Sequence, residues 1–206
     1  MSCILVFIPL LANAELSTKD AWDNLKKLLE TGGYQVIGQE SSVGSDLSIK
    51  NVQISFEVDA QTNINFDIGS LNLTKNKDGF ININLPEEIY VQYLNEDEFG
   101  YKTEANILVR ARELDFKVSG KISQVLYQLT ASSAGFALVE LLDNGVASPD
   151  FSAEMEFVLA DVNSTIRVAG VSSIEVTSLL SASGASLKGG LSVLSVPLKL
   201  NFQYVM

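Results

Sequence analysis

A chain of 206 residues with a net charge of −11 and 47% hydrophobic residues is long enough for one domain with a sizeable core. Its acidity argues against nucleic acid, whose phosphates demand basic patches, and against electrostatic docking on anionic lipid. There is no histidine and a single cysteine, Cys3, which removes the commonest general base and the usual ligands of zinc, copper and haem, so no cofactor is expected.

Residues 1–14, MSCILVFIPLLANA, read as a secretory signal peptide: an apolar run followed by Ala12-Asn13-Ala14. No Lys or Arg precedes Lys19, so the basic opening of such a peptide is missing. Either the true start lies upstream, or the stretch is a buried apolar strand. The signal reading is adopted because a helix start follows at once, and because the run is short of the roughly 20 residues a membrane span needs. Cleavage after Ala14 leaves a mature domain, 15–206, without cysteine. That fits a bacterial periplasm better than a disulfide-stapled extracellular module. The two N-x-[ST] matches, at Asn72 and Asn163, are then read as chance.

The mature N-terminus predicts a helix over 17–30. Ser17 is a good N-cap, with Asp20 as a shortened capping-box acid and Leu16 and Ala21 at the staple positions. Trp22, Leu25, Leu28 and Leu29 form one apolar stripe, Asp23 can pair with Lys27, and Gly32-Gly33 ends the helix. Trp22 lies on this stripe and reads as core.

Nearly everything after Tyr34 alternates as strand. The stripes are Val52/Ile54/Phe56/Val58, Ile64/Phe66/Ile68, Ile81/Ile83/Leu85 and Ile89/Val91/Tyr93. They continue with Ala105/Ile107/Val109/Ala111, Leu114/Phe116/Val118 and Val125/Tyr127/Leu129. The last are Phe151/Ala153/Met155/Phe157/Leu159 and Val196/Leu198/Leu200/Phe202/Tyr204. Asn76-Lys77-Asp78-Gly79 should close a hairpin through positive φ angles at Asp-Gly. The acidic loop from Asn95 to Gly100 should close another. Asp143-Asn144-Gly145 and Ser148-Pro149-Asp150 bracket a longer connection. Alternation slips phase at Asn51 and again at Gly69-Ser70, as β-bulges do. Residues 132–142 carry a helical stripe at Phe136, Val139 and Leu142 and are read as a short helix, with a buried strand as the alternative. Residues 181–190 are read as a loop or a weak strand of small residues. The fold class is therefore mainly β: a long, twisted antiparallel sheet, a meander with bulges, with one N-terminal α-helix packed on it.

Chemistry is sparse, and no catalytic, cofactor or metal residue is assigned. Glu96, Asp97 and Glu98 offer hard oxygen ligands for calcium but read as a solvated hairpin tip. The Asn76–Gly79 turn has Thr74 and Leu85 where a calcium loop needs carboxylates. Glu87 and Glu88 are adjacent on a strand and so point to opposite faces. Glu154 and Glu156 share a wet face. Arg110 and Arg112 share a face with Leu108 at a polar edge. No serine-nucleophile or P-loop motif occurs.

The first half of the mature chain resembles a bacterial family, domain of unknown function 2125, found mainly in alphaproteobacteria. The features that carry the likeness are Trp22, Gly33-Tyr34-Gln35-Val36, the run from Leu47 to Val52, Asp78-Gly79 and Leu85-Pro86, in that order. The resemblance implies secretion to the periplasm and brings no functional residue with it. Family members are often longer, so the chain is expected to be the N-terminal part of a longer protein.

The functional expectation is a non-enzymatic periplasmic protein that binds a lipid or other apolar ligand on its sheet. The alternative is a structural envelope protein with a closed core, working through an envelope protein partner. An outer-membrane barrel and a carboxylate-based hydrolase are weaker readings.

Overall fold

The computed structural model describes residues 15–147, 156–169, 175–188 and 198–205. The expected signal peptide, Ser148-Pro149-Asp150, Phe151 to Met155 and the start of the last stripe at Val196 lie outside them. One helix, α1 (Thr18–Thr31), precedes a 13-stranded antiparallel sheet, as the alternation predicts. Its strands are β1 (Tyr34–Val43), β2 (Asp46–Glu57), β3 (Thr62–Lys75), β4 (Ile81–Asn84), β5 (Glu88–Glu96), β6 (Lys102–Arg112) and β7 (Asp115–Lys121). The second half supplies β8 (Gln124–Asp143), β9 (Val146–Ala147), β10 (Glu156–Ala169), β11 (Glu175–Ala182), β12 (Gly184–Lys188) and β13 (Leu198–Val205).

The helix begins and ends for local reasons. Ser17 Oγ accepts from the Asp20 backbone N–H at 3.1 Å, and Asp20 Oδ2 accepts from the Ser17 N–H at 3.1 Å, a complete capping box. Gly33, at φ +90°, turns the chain into β1. The expected Asp23–Lys27 pair does not form. Asp23 instead pairs one turn back with Lys19, and Lys26 reaches Glu30 at 3.8 Å. The two alternatives are equivalent in spacing. Lys19 wins because it also reaches Glu40 on β1, at 3.0 Å.

The sheet is a meander in which successive segments lie side by side. Its ends stay apart among the described residues: β1 pairs only with β2, and β13 only with β11.

A line of irregularities crosses the sheet at right angles to the strands. It starts at Gly38 of β1, where the register shifts, and passes through Asn51 of β2 (φ +53°) and Gly69 of β3 (φ +74°). It continues through the break at 85–87 between β4 and β5, and Glu113 (φ +51°) between β6 and β7. On β8 and β10 it falls between the pairs Ala131↔Val162 and Ser133↔Ala160, beside Asp161 (φ +48°). It ends at Ser183, whose hydroxyl donates to Asp161 Oδ2 at 2.6 Å and whose N–H donates to the Ala160 carbonyl at 2.9 Å. The phase slips read at Asn51 and Gly69 are two points on this line. An extra residue flips the side chains beyond it. The sequence flips with it: Leu47 and Ile49 give way to Val52 and Ile54, and Leu129 and Ala131 to Ala134 and Phe136. One face therefore stays apolar along the whole strand.

Two further expectations need correction. Residues 132–142 are strand, part of β8, not a helix. The spacing of three at Phe136, Val139 and Leu142 comes from a bulge: Ile107 faces Leu138 but Asn106 faces Glu140, so Val139 is skipped in the ladder. In the Asn76–Gly79 turn only Gly79 has positive φ (+82°). The turn is held instead by Asn76 Oδ1, which accepts from the N–H groups of Asp78 (3.1 Å) and Phe80 (2.9 Å). Residues 181–188 resolve to the end of β11 and β12, the small-residue strand of the two readings.

On one side of the transverse line α1 closes the apolar face. Leu16, Ala21 and Trp22 are buried there, with Leu25, Leu28 and Leu29 packed around them, against Leu47, Ile49, Leu73, Ile81, Val118 and Tyr127. Polar contacts tie the helix down. Trp22 Nε1 donates to Glu40 Oε1 at 2.9 Å, Tyr127 Oη to Asn24 Oδ1 at 2.7 Å, and Thr18 Oγ1 to the Ser45 carbonyl at 2.8 Å. Lys75 Nζ bonds Glu15 Oε2 at 2.9 Å and the Leu16 carbonyl at 3.1 Å. Among the described residues no helix is long and apolar enough to cross a membrane.

Candidate functional site: an uncovered apolar trough

Beyond the transverse line the same face continues without the helix. Ile64 and Phe66 of β3, Val91 and Tyr93 of β5, Ile107 and Val109 of β6, and Phe136 and Leu138 of β8 line an open trough of about 440 Å³. Apart from the Tyr93 hydroxyl, no polar side chain lines it. Strand pairing fixes these positions. Phe66 lies opposite Val91, Val91 opposite Ile107, and Val109 opposite Phe136. Adjacent strands lie about 4.8 Å apart, so the four strands place some 14 Å between the first and last rows. Phe136 remains 45% exposed, although its ring stacks on Phe157 of β10 at 5.4 Å between centroids. Large side chains at inward positions of a sheet are normally covered. Here the helix does not reach them: Val91 is buried among its sheet neighbours, Ile64, Phe66, Tyr93, Ile107, Val109 and Leu138 stay half-buried, and Phe136 is exposed.

The polar candidates from the sequence lie elsewhere and do not converge. Asp97 Oδ1 accepts from the backbone N–H groups of Phe99 (2.8 Å) and Tyr101 (2.9 Å), so that carboxylate shapes its own hairpin tip. Glu96 pairs with Lys102 at 3.1 Å. Glu88 pairs across strands with Arg110 at 3.0 Å, while Glu87 offers its carbonyl to the Ala111 N–H at 3.0 Å. Arg110 and Arg112 do share a face with Leu108, where they border a depression of about 260 Å³ with Ser133, Gly135 and Glu156. Glu154 lies outside the described residues. No group of three or more His, Cys, Asp or Glu side chains is placed to hold a metal among the described residues. Trp22 is 2% exposed and belongs to the core, as its stripe predicts.

The perturbed groups lie around the helix (Lys19, Glu40 and Tyr127) and at hairpin tips (Asp59 and Tyr101), and none of them lines the trough. The Tyr127 hydroxyl is pushed well above its ordinary range by burial. The Glu40 carboxyl is held below its usual value by hydrogen bonding to Lys19, helped by Trp22, against an opposing cost of burial. These are the signs of a structural anchor.

Most trough residues stand in the alternating stripes of the sequence. Phe136 and Leu138 escaped because the bulge at Val139 imitates helical spacing. The Ser, Ala and Gly content of 132–137 was the available signal against a helix, since these small residues let strands approach closely. A Cβ on Gly135 would lie 2.2 Å from the Phe157 carbonyl oxygen of β10. Comparison with family models, with curated proteins and with solved structures returns no match.

Proposed function

We propose that this chain is a non-enzymatic periplasmic protein, exported through a signal peptide at residues 1–14, that holds one fatty acyl chain in the apolar trough. The observation that carries the reading is the uncovered, nearly wholly apolar lining of that trough beside a half of the same face that the helix seals. Its volume of about 440 Å³ falls within the range typical of ligand sites. Its span of about 14 Å matches one leaflet's share, roughly half, of a bilayer core about 30 Å thick. An acyl chain needs no hydrogen-bond partner, and the lining offers almost none. The resemblance of the first half of the mature chain to a secreted family supports the location.

The test is an equilibrium titration with dansyl-undecanoic acid, for the chain and for Ile107→Asp. The reading expects saturable one-to-one binding that Ile107→Asp weakens by at least about tenfold, because a carboxylate would be buried against hydrocarbon. Absence of saturable binding, or an unchanged affinity in the variant, would overturn it.

A further inference from the structure

The opposite face of the same strands carries a second depression, of about 450 Å³, lined by a row of polar side chains together with Ile37, Ile54, Phe66, Tyr90 and Val91. Strand pairing lays Gln35, Ser55, Asn65, Gln92 and Asn106 side by side in one row across five adjacent strands. The neighbouring row runs Ile37, Gln53, Asp67, Tyr90. Gln92 Nε2 reaches Glu104 at 3.4 Å, and Asn106 Nδ2 donates to Glu140 at 2.9 Å. The side chains of Gln35, Gln53, Ser55, Asn65 and Asp67 have no hydrogen-bond partner among the described residues. Each amide offers both donors and an acceptor. Tyr90 is 58% exposed beside them, and Ile37 59%.

We infer that this face binds a neutral oligosaccharide. The lining holds one carboxylate, Asp67, and no Lys or Arg, so it has no means of attracting phosphate, sulfate or nucleic acid. A ligand that satisfies a row of amides must carry donors and acceptors at regular intervals and no charge. Rows of hydroxyl groups on pyranose rings do this, and the strand spacing of about 4.8 Å is close to the advance of one ring along an oligosaccharide. Five strands give room for about four rings. Tyr90 supplies an exposed aromatic face, electron-rich and so complementary to the C–H face of a ring. An extended peptide is a poorer match, because its backbone pairs with sheet edges, not faces. The inference does not depend on the acyl-chain reading, since the two sites lie on opposite faces and take ligands of opposite polarity.

The experiment is calorimetric titration of the full chain with cellotetraose, maltotetraose and tetra-N-acetylchitotetraose, then with shorter and longer members of any series that binds. At least one should bind saturably, with affinity rising from the disaccharide to about the tetrasaccharide and levelling beyond it. Tyr90→Ala and Asn65→Ala, both at exposed positions, should each weaken binding three- to tenfold while leaving the melting temperature in place. Failure of all three sugars to bind would overturn the inference. So would unchanged affinity in the two variants, or equal binding of a sulfated oligosaccharide.

Discussion

Asn51→Val tests the transverse line at an exposed point. Asn51 sits at φ +53° in the middle of β2, between the pairs Lys50↔Ser70 and Val52↔Gly69. Its side chain is exposed, so the substitution changes little buried surface. What changes is the backbone cost. Asparagine tolerates the left-handed region better than most residues, whereas a β-branched residue there carries the full steric penalty of about 1–2 kcal/mol. For a chain of this size each kcal/mol lowers the melting temperature by about 2–4 °C, so Asn51→Val should melt roughly 2–8 °C lower. Asn51→Gly should stay within about 0.5 kcal/mol of the parent, because relief of the strain offsets the added chain entropy of glycine. Thermal and urea unfolding of the three proteins measures this. If Asn51→Val is as stable as Asn51→Gly, the residue does not occupy the left-handed region. The inserted residue that keeps Leu47, Ile49, Val52 and Ile54 on one face would then be misplaced.

The anchors beneath the helix make further predictions. Glu40 has a carboxyl pKa lowered in the folded protein, so its contribution to stability is present above the ordinary carboxylate value of 4.5 and fades as pH falls through the lower folded value. Glu40→Gln keeps an acceptor for Trp22 but loses the charge that holds Lys19. Urea midpoints measured from pH 6 down to pH 3 should therefore fall less steeply in the variant than in the parent; parallel curves would remove Glu40 as a source of acid sensitivity. Lys19, raised by Asp23 first and Glu40 second, works in the opposite sense, its contribution being lost only as pH rises above the ordinary lysine value of 10.5. Its side chain is half exposed, so this alkaline effect should be small. Tyr127→Phe removes the hydroxyl that bonds Asn24 Oδ1 at 2.7 Å while keeping the ring beside Phe116, and should cost about 0.5–1.5 kcal/mol in urea unfolding. A gain in stability would show that the buried hydroxyl is poorly satisfied and does not anchor the helix.

Much of the architecture is written in short-range pattern. The cap at Ser17, the stripe through Trp22 and the alternation from Val52 to Leu129 are each decided within a few residues, by capping chemistry and side-chain period. Bulges at Asn51 and Gly69 are legible for the same reason, as breaks in a period of two. What the sequence does not contain locally is the alignment of these breaks. That Gly38, Asn51, Gly69, Glu113, Asp161 and Ser183 fall on one line depends on pairing register across the sheet, which involves residues far apart in the chain. The bulge at Val139 shows the opposite failure, where a local irregularity reproduces the spacing of another element. The trough was half legible. Its side chains stand out as apolar, but only the position of α1, which covers one half of the face, distinguishes Ile107 and Phe136 from Ile81 and Tyr127. The outer amide row was unreadable as a site, because Gln35, Asn65 and Gln92 are unremarkable polar positions until register sets them side by side.

The most direct test of the apolar trough is photo-crosslinking with a fatty acid of about twelve carbons bearing a diazirine at its methyl end, followed by peptide mapping. An acyl chain in the trough labels peptides that contain Phe66, Val91, Ile107 and Phe136 or Leu138. Label confined to α1 or to the outer-face row at Gln35, Asn65 and Gln92, or no competable label at all, would contradict the assignment.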